Sequence, residues 1–249
     1  MTNNNMIFIA NWKMNGEKSH ISGINKTIKF LKQSKNKKNQ IIYCPPFTLI
    51  SLVKNKVKNS KIKVGAQNLS QLNDYGAFTG SVNSKLIKSA GGEYVIVGHS
   101  EIRNQENDIL INKKIHSALK ERLKVILCIG ETYKEKKNNK TLSVLKRQIT
   151  IALKNIKKIN NIIFAYEPRW SIGTGKIPKS SELRKNFRHI NNIISKLKKN
   201  QKYKIIYGGS VNSKNVSELK KISNLKGFLI GSASLRAKNF IDIIKKSTN

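Results

Sequence analysis

The sequence predicts an α/β fold in which parallel strands alternate with helices about eight times and close into a (β/α)8 barrel, one domain over residues 1–249. Three observations carry this. Short apolar blocks recur near residues 6–11, 40–45, 62–66, 93–98, 124–129, 162–167, 203–208 and 227–231. Most are β-branched and apolar at consecutive positions, the pattern of a parallel strand buried on both faces. Between them, apolar residues step by three and four with Lys and Asn on the other side, which marks amphipathic helices. The chain length of 249 residues fits as well, since roughly 250 is typical of such a barrel. A doubly wound open sheet is the runner-up, because the alternation does not decide closure.

The elements follow in order. The block Ile7-Phe8-Ile9-Ala10 runs into Asn11-Trp12-Lys13, and Ile21, Ile24, Ile28 and Leu31 then form a helical stripe. Val95-Ile96-Val97 runs into Gly98-His99-Ser100-Glu101. After Val125-Ile126-Leu127 comes a second stripe, Leu142, Leu145, Ile149, Ala152 and Ile156. The sixth block ends in Tyr166-Glu167-Pro168 and precedes a third stripe of Leu183, Phe187, Ile190, Ile194 and Leu197. The last two blocks end in Tyr207-Gly208-Gly209-Ser210 and Gly231-Ser232-Ala233. Ser180 or Ser181 ahead of Glu182, and Asn212 with Ser213, read as helix starts. Lys/Asn runs such as 134–140 read as solvated loops or helix ends, and no composition break divides the chain.

Lys and Arg number 49 against 13 Asp and Glu, a formal charge of +36. Such a balance raises nucleic acid, an anionic membrane or an anionic substrate as partners. The lysines, however, are spread over nearly every polar stretch in the company of Asn and Ile, as an A/T-rich genome tends to encode. No zinc-knuckle, basic-zipper or RNA-recognition motif is present. Cys44 and Cys128 are the only cysteines, each in an apolar run. Two such residues make neither a disulfide framework nor a metal set, and a reduced buried state fits the cytoplasm. The first ten residues are too polar for a secretory signal, and no apolar stretch approaches the roughly 18 residues of a membrane span. No cofactor and no metal are expected.

In a barrel, functional side chains gather where strands end and loops begin. Singly, each candidate is ordinary: a Lys after a strand is usually solvated, a lone His is commonly hydrogen-bonded filler, a Glu before Pro can simply end a strand, and Gly pairs make turns. Together they put a carboxylate, an imidazole, an ammonium and several Gly-rich turns on one barrel face. The Gly175-Lys176 pair is not a nucleotide phosphate loop, because Ile177 replaces the needed Ser/Thr and Trp170 stands where the first Gly belongs.

Ten stretches make the chain resemble the triosephosphate isomerase family, in the family's order over nearly its whole length. They are Ala10-Asn11-Trp12-Lys13-Met14-Asn15, Cys44-Pro45-Pro46-Phe47, Gly65-Ala66-Gln67-Asn68, Gly76-Ala77-Phe78-Thr79-Gly80 and Val97-Gly98-His99-Ser100-Glu101. Cys128-Ile129-Gly130-Glu131-Thr132, Ala165-Tyr166-Glu167-Pro168, Ile172-Gly173-Thr174-Gly175-Lys176, Tyr207-Gly208-Gly209-Ser210-Val211 and Gly231-Ser232-Ala233-Ser234-Leu235 complete the set. The resemblance implies an aldose–ketose isomerase of glycolysis and gluconeogenesis that interconverts dihydroxyacetone phosphate and D-glyceraldehyde 3-phosphate through an enediolate. It implies Glu167 as base, His99 and Lys13 as donors to the developing oxyanion, Asn11 as orienter of Lys13 and substrate, and Glu101 as a supporting carboxylate. It also implies phosphate binding at Gly173, Ser210, Gly231 and Ser232, a lid over 168–178, and a homodimer. In that dimer the loop 68–80 reaches into the neighbour, with Thr79 near its active site.

Departures from the family are specific. Arg169 stands at a lid hinge that is usually aliphatic, and Ile177 and Pro178 at the other hinge, where small or polar residues are usual. Ser232 replaces a second Gly, which implies strain if that position needs a positive φ. Ser81 and Ile102 replace a Glu and an Arg, read as one lost ion pair near a subunit interface. Residues 103–108 look about two residues shorter than in the family. The rival readings are another sugar-phosphate barrel enzyme, a basic polyanion-binding protein, and a barrel scaffold with reduced activity.

Overall fold

The structure, a computed structural model, describes residues 5–33 and 38–248. Eight strands pair in chain order: β1 (Ile7–Asn11), β2 (Gln40–Cys44), β3 (Lys63–Ala66), β4 (Tyr94–Val97), β5 (Lys124–Ile129), β6 (Ile162–Tyr166), β7 (Lys204–Tyr207) and β8 (Leu225–Ile230). Every pairing is parallel, and β8 returns to β1 with Ile7 opposite Gly227 and Ala10 opposite Ile230. That last pairing closes the barrel and rules out the open sheet.

The consecutive apolar positions sort by the two-residue strand period. Ile7, Ile9, Ile42, Ile96, Ile126, Ala165, Ile206 and Leu229 form one buried cluster, filling the inside of the barrel. Their neighbours Phe8, Ala10, Ile41, Tyr43, Val95 and Val97 pack in a larger cluster with residues of the surrounding helices. Those helices are α1 (Lys18–Ile21), α2 (Ile24–Lys32), α3 (Ile50–Val57), α4 (Ser84–Ser89), α5 (Asp108–Lys120), α6 (Tyr133–Lys137), α7 (Thr141–Ala152), α8 (Ser180–Leu197), α9 (Val216–Leu219) and α10 (Ala237–Thr248).

Several local expectations need correction. The stripe from Ile21 to Leu31 is split into α1 and α2 at Ser22-Gly23. The stripe through Ile156 leaves helix after Ala152, and Asn155 takes a left-handed φ of 61°. Neither Ser180 nor Ser181 caps α8: the helix already includes them, and Lys179 precedes it without a side-chain cap. Asn212 does accept from the N–H groups of Lys214 and Asn215, but this closes a turn ahead of α9. The eighth strand starts at Leu225, two residues before the apolar block, where Gly227 presses on β1 so closely that a Cβ would lie 2.0 Å from Ile7 O.

Caps recur where the sequence offers Asn or Thr. Asn83 accepts from Leu86 N–H at the start of α4, and Asn107 from Leu110 N–H at the start of α5. Thr132 and Glu135 form a reciprocal box on α6, and each such cap contributes on the order of 1 kcal/mol. Carboxylates bridge elements in the same way. Asp108 receives Arg103 and Arg147, Glu93 receives Lys54 and Lys63, Glu182 receives Lys136, and buried Glu106 receives buried Lys114. Cys44 and Cys128 are free and buried, and burial pushes both thiols up. No helix among the described residues is long and apolar enough to cross a membrane.

Candidate active site

A pocket of about 300 Å³ opens at the C-terminal ends of the strands. Asn11, Lys13, His99, Glu167, Gly173, Ser210, Gly231 and Ser232 all line it, so the structure brings together every candidate but one. The exception is Glu101, which is half exposed beside the pocket and reaches its residues through contacts.

Glu167 follows β6 and is buried. Its N–H donates to Ile129 O at 2.7 Å, which continues the β5–β6 pairing and fixes where the side chain starts. Its Oε2 accepts from Ser100 N–H at 3.3 Å, and its Oε1 lies 3.4 Å from His99 Nε2. Close backbone approach surrounds it: a Cβ on Gly208 would lie 2.7 Å from Glu167 Cγ, and one on Gly130 would lie 1.8 Å from Glu167 O.

His99 follows β4 through Gly98, whose φ of 70° makes the turn. Its Nδ1 accepts from Glu101 N–H at 3.3 Å. An accepting Nδ1 leaves the proton on Nε2, so the ring is neutral and its Nε2–H lines the pocket beside Glu167. Glu101 Oε2 stays farther from Nδ1, at 3.6 Å, because the carboxylate turns its other oxygen to Lys13 Nζ at 2.5 Å.

Lys13 has a φ of 54°, a left-handed conformation that costs roughly 1–2 kcal/mol in a residue with a Cβ. Neighbours hold it there. Lys13 N–H donates to Asn11 Oδ1 at 3.0 Å, and Gln67 Nε2 donates to both Lys13 O and Cys44 O at 2.9 Å. Sequence reasoning misses this holding role of Gln67, which stands in the Gly65-Ala66-Gln67-Asn68 stretch. The strain expected at Ser232 is absent, because Ser232 begins a single 3₁₀ turn, Ser232–Ser234, and is not among the left-handed residues.

The other end of the pocket is built from main chain. Among the described residues, the N–H groups of Gly173, Ser210, Gly231 and Ser232 donate to no protein acceptor. Unpaired N–H groups converging on one cavity suit an anion. The segment 168–178 covers this end. It starts with a 3₁₀ turn, Arg169–Ser171, and carries Gly173 and Gly175 at left-handed φ values of 72° and 73°. Gly175 N–H donates to Ser210 Oγ, which in turn donates to Ser171 O at 2.6 Å, and Ser171 Oγ donates to Lys176 O at 2.5 Å. Behind it, buried Glu131 accepts from Trp170 Nε1 at 2.8 Å and Tyr166 OH at 3.1 Å, and Lys136 sits 3.7 Å above the Trp170 ring. Burial raises the Glu131 carboxyl above the ordinary carboxylate range, and the Trp170 bond only partly offsets this.

Fold and pocket together define a (β/α)8 barrel enzyme with acid–base side chains at one end of its cavity and an anion-suited cradle at the other. Comparison with known proteins narrows the class. The family model described as triosephosphate isomerase matches residues 6–247. A triosephosphate isomerase of Alkaliphilus oremlandii is 37% identical over 247 residues, covering 96% of this chain and 98% of that protein. One from Thermodesulfovibrio yellowstonii is 39% identical over 242 residues, covering 95% and 97%. The crystal structure of triosephosphate isomerase from Bartonella henselae superposes with a TM-score of 0.90 at 31% identity, covering 98% of this chain and all of that one. The chain belongs to the triosephosphate isomerase family.

Proposed function

We propose that residues 1–249 act as one catalytic domain that interconverts dihydroxyacetone phosphate and D-glyceraldehyde 3-phosphate through an enediolate. The observation that carries the residue roles is the juxtaposition of buried Glu167 and the Nε2–H of neutral His99, 3.4 Å apart, in a pocket whose far wall offers four unused N–H groups. Glu167 removes a proton from the hydroxyl-bearing carbon beside the carbonyl and returns it to the former carbonyl carbon, while the hydroxyl proton passes to the former carbonyl oxygen by way of His99 Nε2; one carboxylate can serve both carbons when it sits alongside both. Negative charge develops on the carbonyl oxygen, and His99 Nε2–H and the Lys13 ammonium stabilise it. Asn11 and Gln67 hold Lys13 in its strained conformation, and Glu101 anchors its Nζ. The phosphate sits against the N–H groups of Gly173, Ser210, Gly231 and Ser232. The segment 168–178 closes over it and keeps water from the intermediate.

A coupled turnover assay tests this. Glu167→Gln lowers kcat by about 10²–10⁴-fold, the range for removing a positioned acid–base group. A wild-type chain without triose phosphate turnover, or a fully active Glu167→Gln, defeats the assignment.

The working form is a cytoplasmic homodimer in this reading. Met14, Tyr75, Phe78 and Leu86 are exposed apolar side chains, and the last three gather around one shallow depression with Ser81. Thr79 of that loop then lies near the neighbour's site. Sedimentation equilibrium decides the stoichiometry. If Ser81→Glu and Ile102→Arg together restore no more dimer stability than their separate effects added, the lost-ion-pair idea fails.

A further inference from the structure

The sequence marks Arg169 as out of place at a hinge, and the structure gives the residue something to hold. Arg169 lies two positions after Glu167 and is half-buried. Its Nη2 donates to Asn104 Oδ1 at 2.6 Å. Asn104 belongs to the turn after His99 and Glu101, not to the lid. That turn is closed by its own main chain: Ile102 N–H donates to His99 O, and Gln105 and Glu106 N–H both donate to Ile102 O. Next to Asn104, Arg103 spans Gly98 O, Cys128 O and Asp108 at 2.8–2.9 Å. Arg169 therefore reaches from the lid segment to a turn held by its own main-chain bonds and by Arg103.

The rest of this hinge points the same way. Arg169 N–H donates to Glu131 O and Ser171 N–H to Pro168 O, so the 3₁₀ turn is tied at its main chain. The opposite hinge contains Pro178, which has no N–H to offer. An aliphatic side chain at 169 would leave the first hinge with main-chain ties alone. The guanidinium is also a costly choice, since burial and the like charge of Arg103 both disfavour it.

We propose that Arg169 is a positioning residue whose bond to Asn104 clips the first lid hinge to the loop carrying His99 and so slows release of the lid. Glu167 lies between the two clipped parts and rests on Ser100 N–H of the same loop, so the clip also steadies the carboxylate. The inference rests on reading 168–178 as the lid of the proposed isomerase. Its test reads lid motion without turnover, so its failure is distinguishable from failure of that reading.

The chain is labelled with 5-fluorotryptophan, and ¹⁹F NMR follows Trp170 in the lid, with buried Trp12 as internal reference. Arg169→Leu and Asn104→Ala each speed Trp170 exchange by about fivefold, the size of a charge-assisted bond partly open to water. The double variant is no faster than the faster single one. Asn104→Asp keeps an acceptor and holds exchange at or below the wild-type rate, which a merely structural effect of losing Asn104 would not do. Unfolding midpoints check that all variants remain folded. Unchanged exchange in both single variants, effects that multiply in the double variant, or an Asn104→Asp as fast as Asn104→Ala would each overturn the clip.

Discussion

Gly208→Ala isolates the placement of the base from its chemistry. A Cβ at this position would lie 2.7 Å from Glu167 Cγ and 2.9 Å from its Oε1. Carbon atoms settle at about 3.5–4.0 Å, so the side chain of Glu167 must retreat by about 0.8–1.3 Å. Misplacement of a reacting group by about 1 Å can cost 10²-fold in rate. At about 1.4 kcal/mol per tenfold, that is roughly 2.7 kcal/mol of barrier. Gly208 is not among the left-handed residues, so alanine meets no backbone penalty there. Overpacking still lowers stability, by about 1–3 kcal/mol. The expected result in the coupled assay is a kcat about 10²-fold down, with KM changed far less, in a protein that still unfolds cooperatively. Gly231→Ala is the contrast: its Cβ would come 3.2 Å from Lys13 Cε, the far end of a flexible side chain, and a smaller loss follows. A folded Gly208→Ala with kcat within about twofold of wild type would refute the claim that this close approach sets the position of Glu167.

Three further outcomes are expected. Glu106→Gln leaves Lys114 as an unpaired buried charge; breaking such a pair costs about 3–5 kcal/mol, or roughly 6–20 °C in Tm for a chain of this size, and calorimetry should show a much smaller loss when both residues become Met. Glu131 binds its proton more tightly folded than unfolded, so its contribution to stability falls as pH rises from the ordinary value of 4.5 through its raised value; urea titrations of wild type and Glu131→Gln should differ by that downward slope, and parallel curves would contradict it. With a formal charge of +36, kcat/KM for a dianionic substrate should fall as salt is raised while kcat holds, and a salt-independent kcat/KM would mean the charge does not steer.

Much of the barrel was legible because burial on both faces leaves a mark that Lys/Asn substitution of solvent positions does not erase. On that basis the block 124–129 coincides with β5, and the other blocks up to β7 agree with their strands to within one residue at each end. The misreadings have local causes. Between α1 and α2 the spacing carries through, because Ser22 and Gly23 keep right-handed helical dihedrals and only the hydrogen bonds tighten, from Gly23 N–H to His20 O and Lys26 N–H to Gly23 O. The start of β8 was missed by two residues, because Leu225 is held in the sheet by pairing with Ile205 while exposed Lys226 breaks the apolar run ahead of Gly227. At the site, the sequence placed the side chains that meet but not the ones that hold them. Gln67 reaches two carbonyls from separate strand ends, and the contact of Arg169 with Asn104 joins the loops after β4 and β6, which meet only because both strands pair with β5. Lys13 carries a left-handed φ that no rule of residue preference would assign to lysine.

The ion pairs and caps imply an asymmetry in how this protein tolerates change. Its thirteen acidic residues are mostly committed: one sits in the pocket, others grip lysines or arginines from different elements, and Glu17 and Glu135 close helix starts. Bases outnumber acids so heavily that most lysines have no carboxylate left to meet. Losing a lysine is therefore usually cheap, whereas losing an acid such as Glu93, Glu106, Asp108, Glu131 or Glu182 severs a link between parts of the chain. A campaign to make the protein less basic should convert solitary lysines to neutral residues and leave the few anions where they stand.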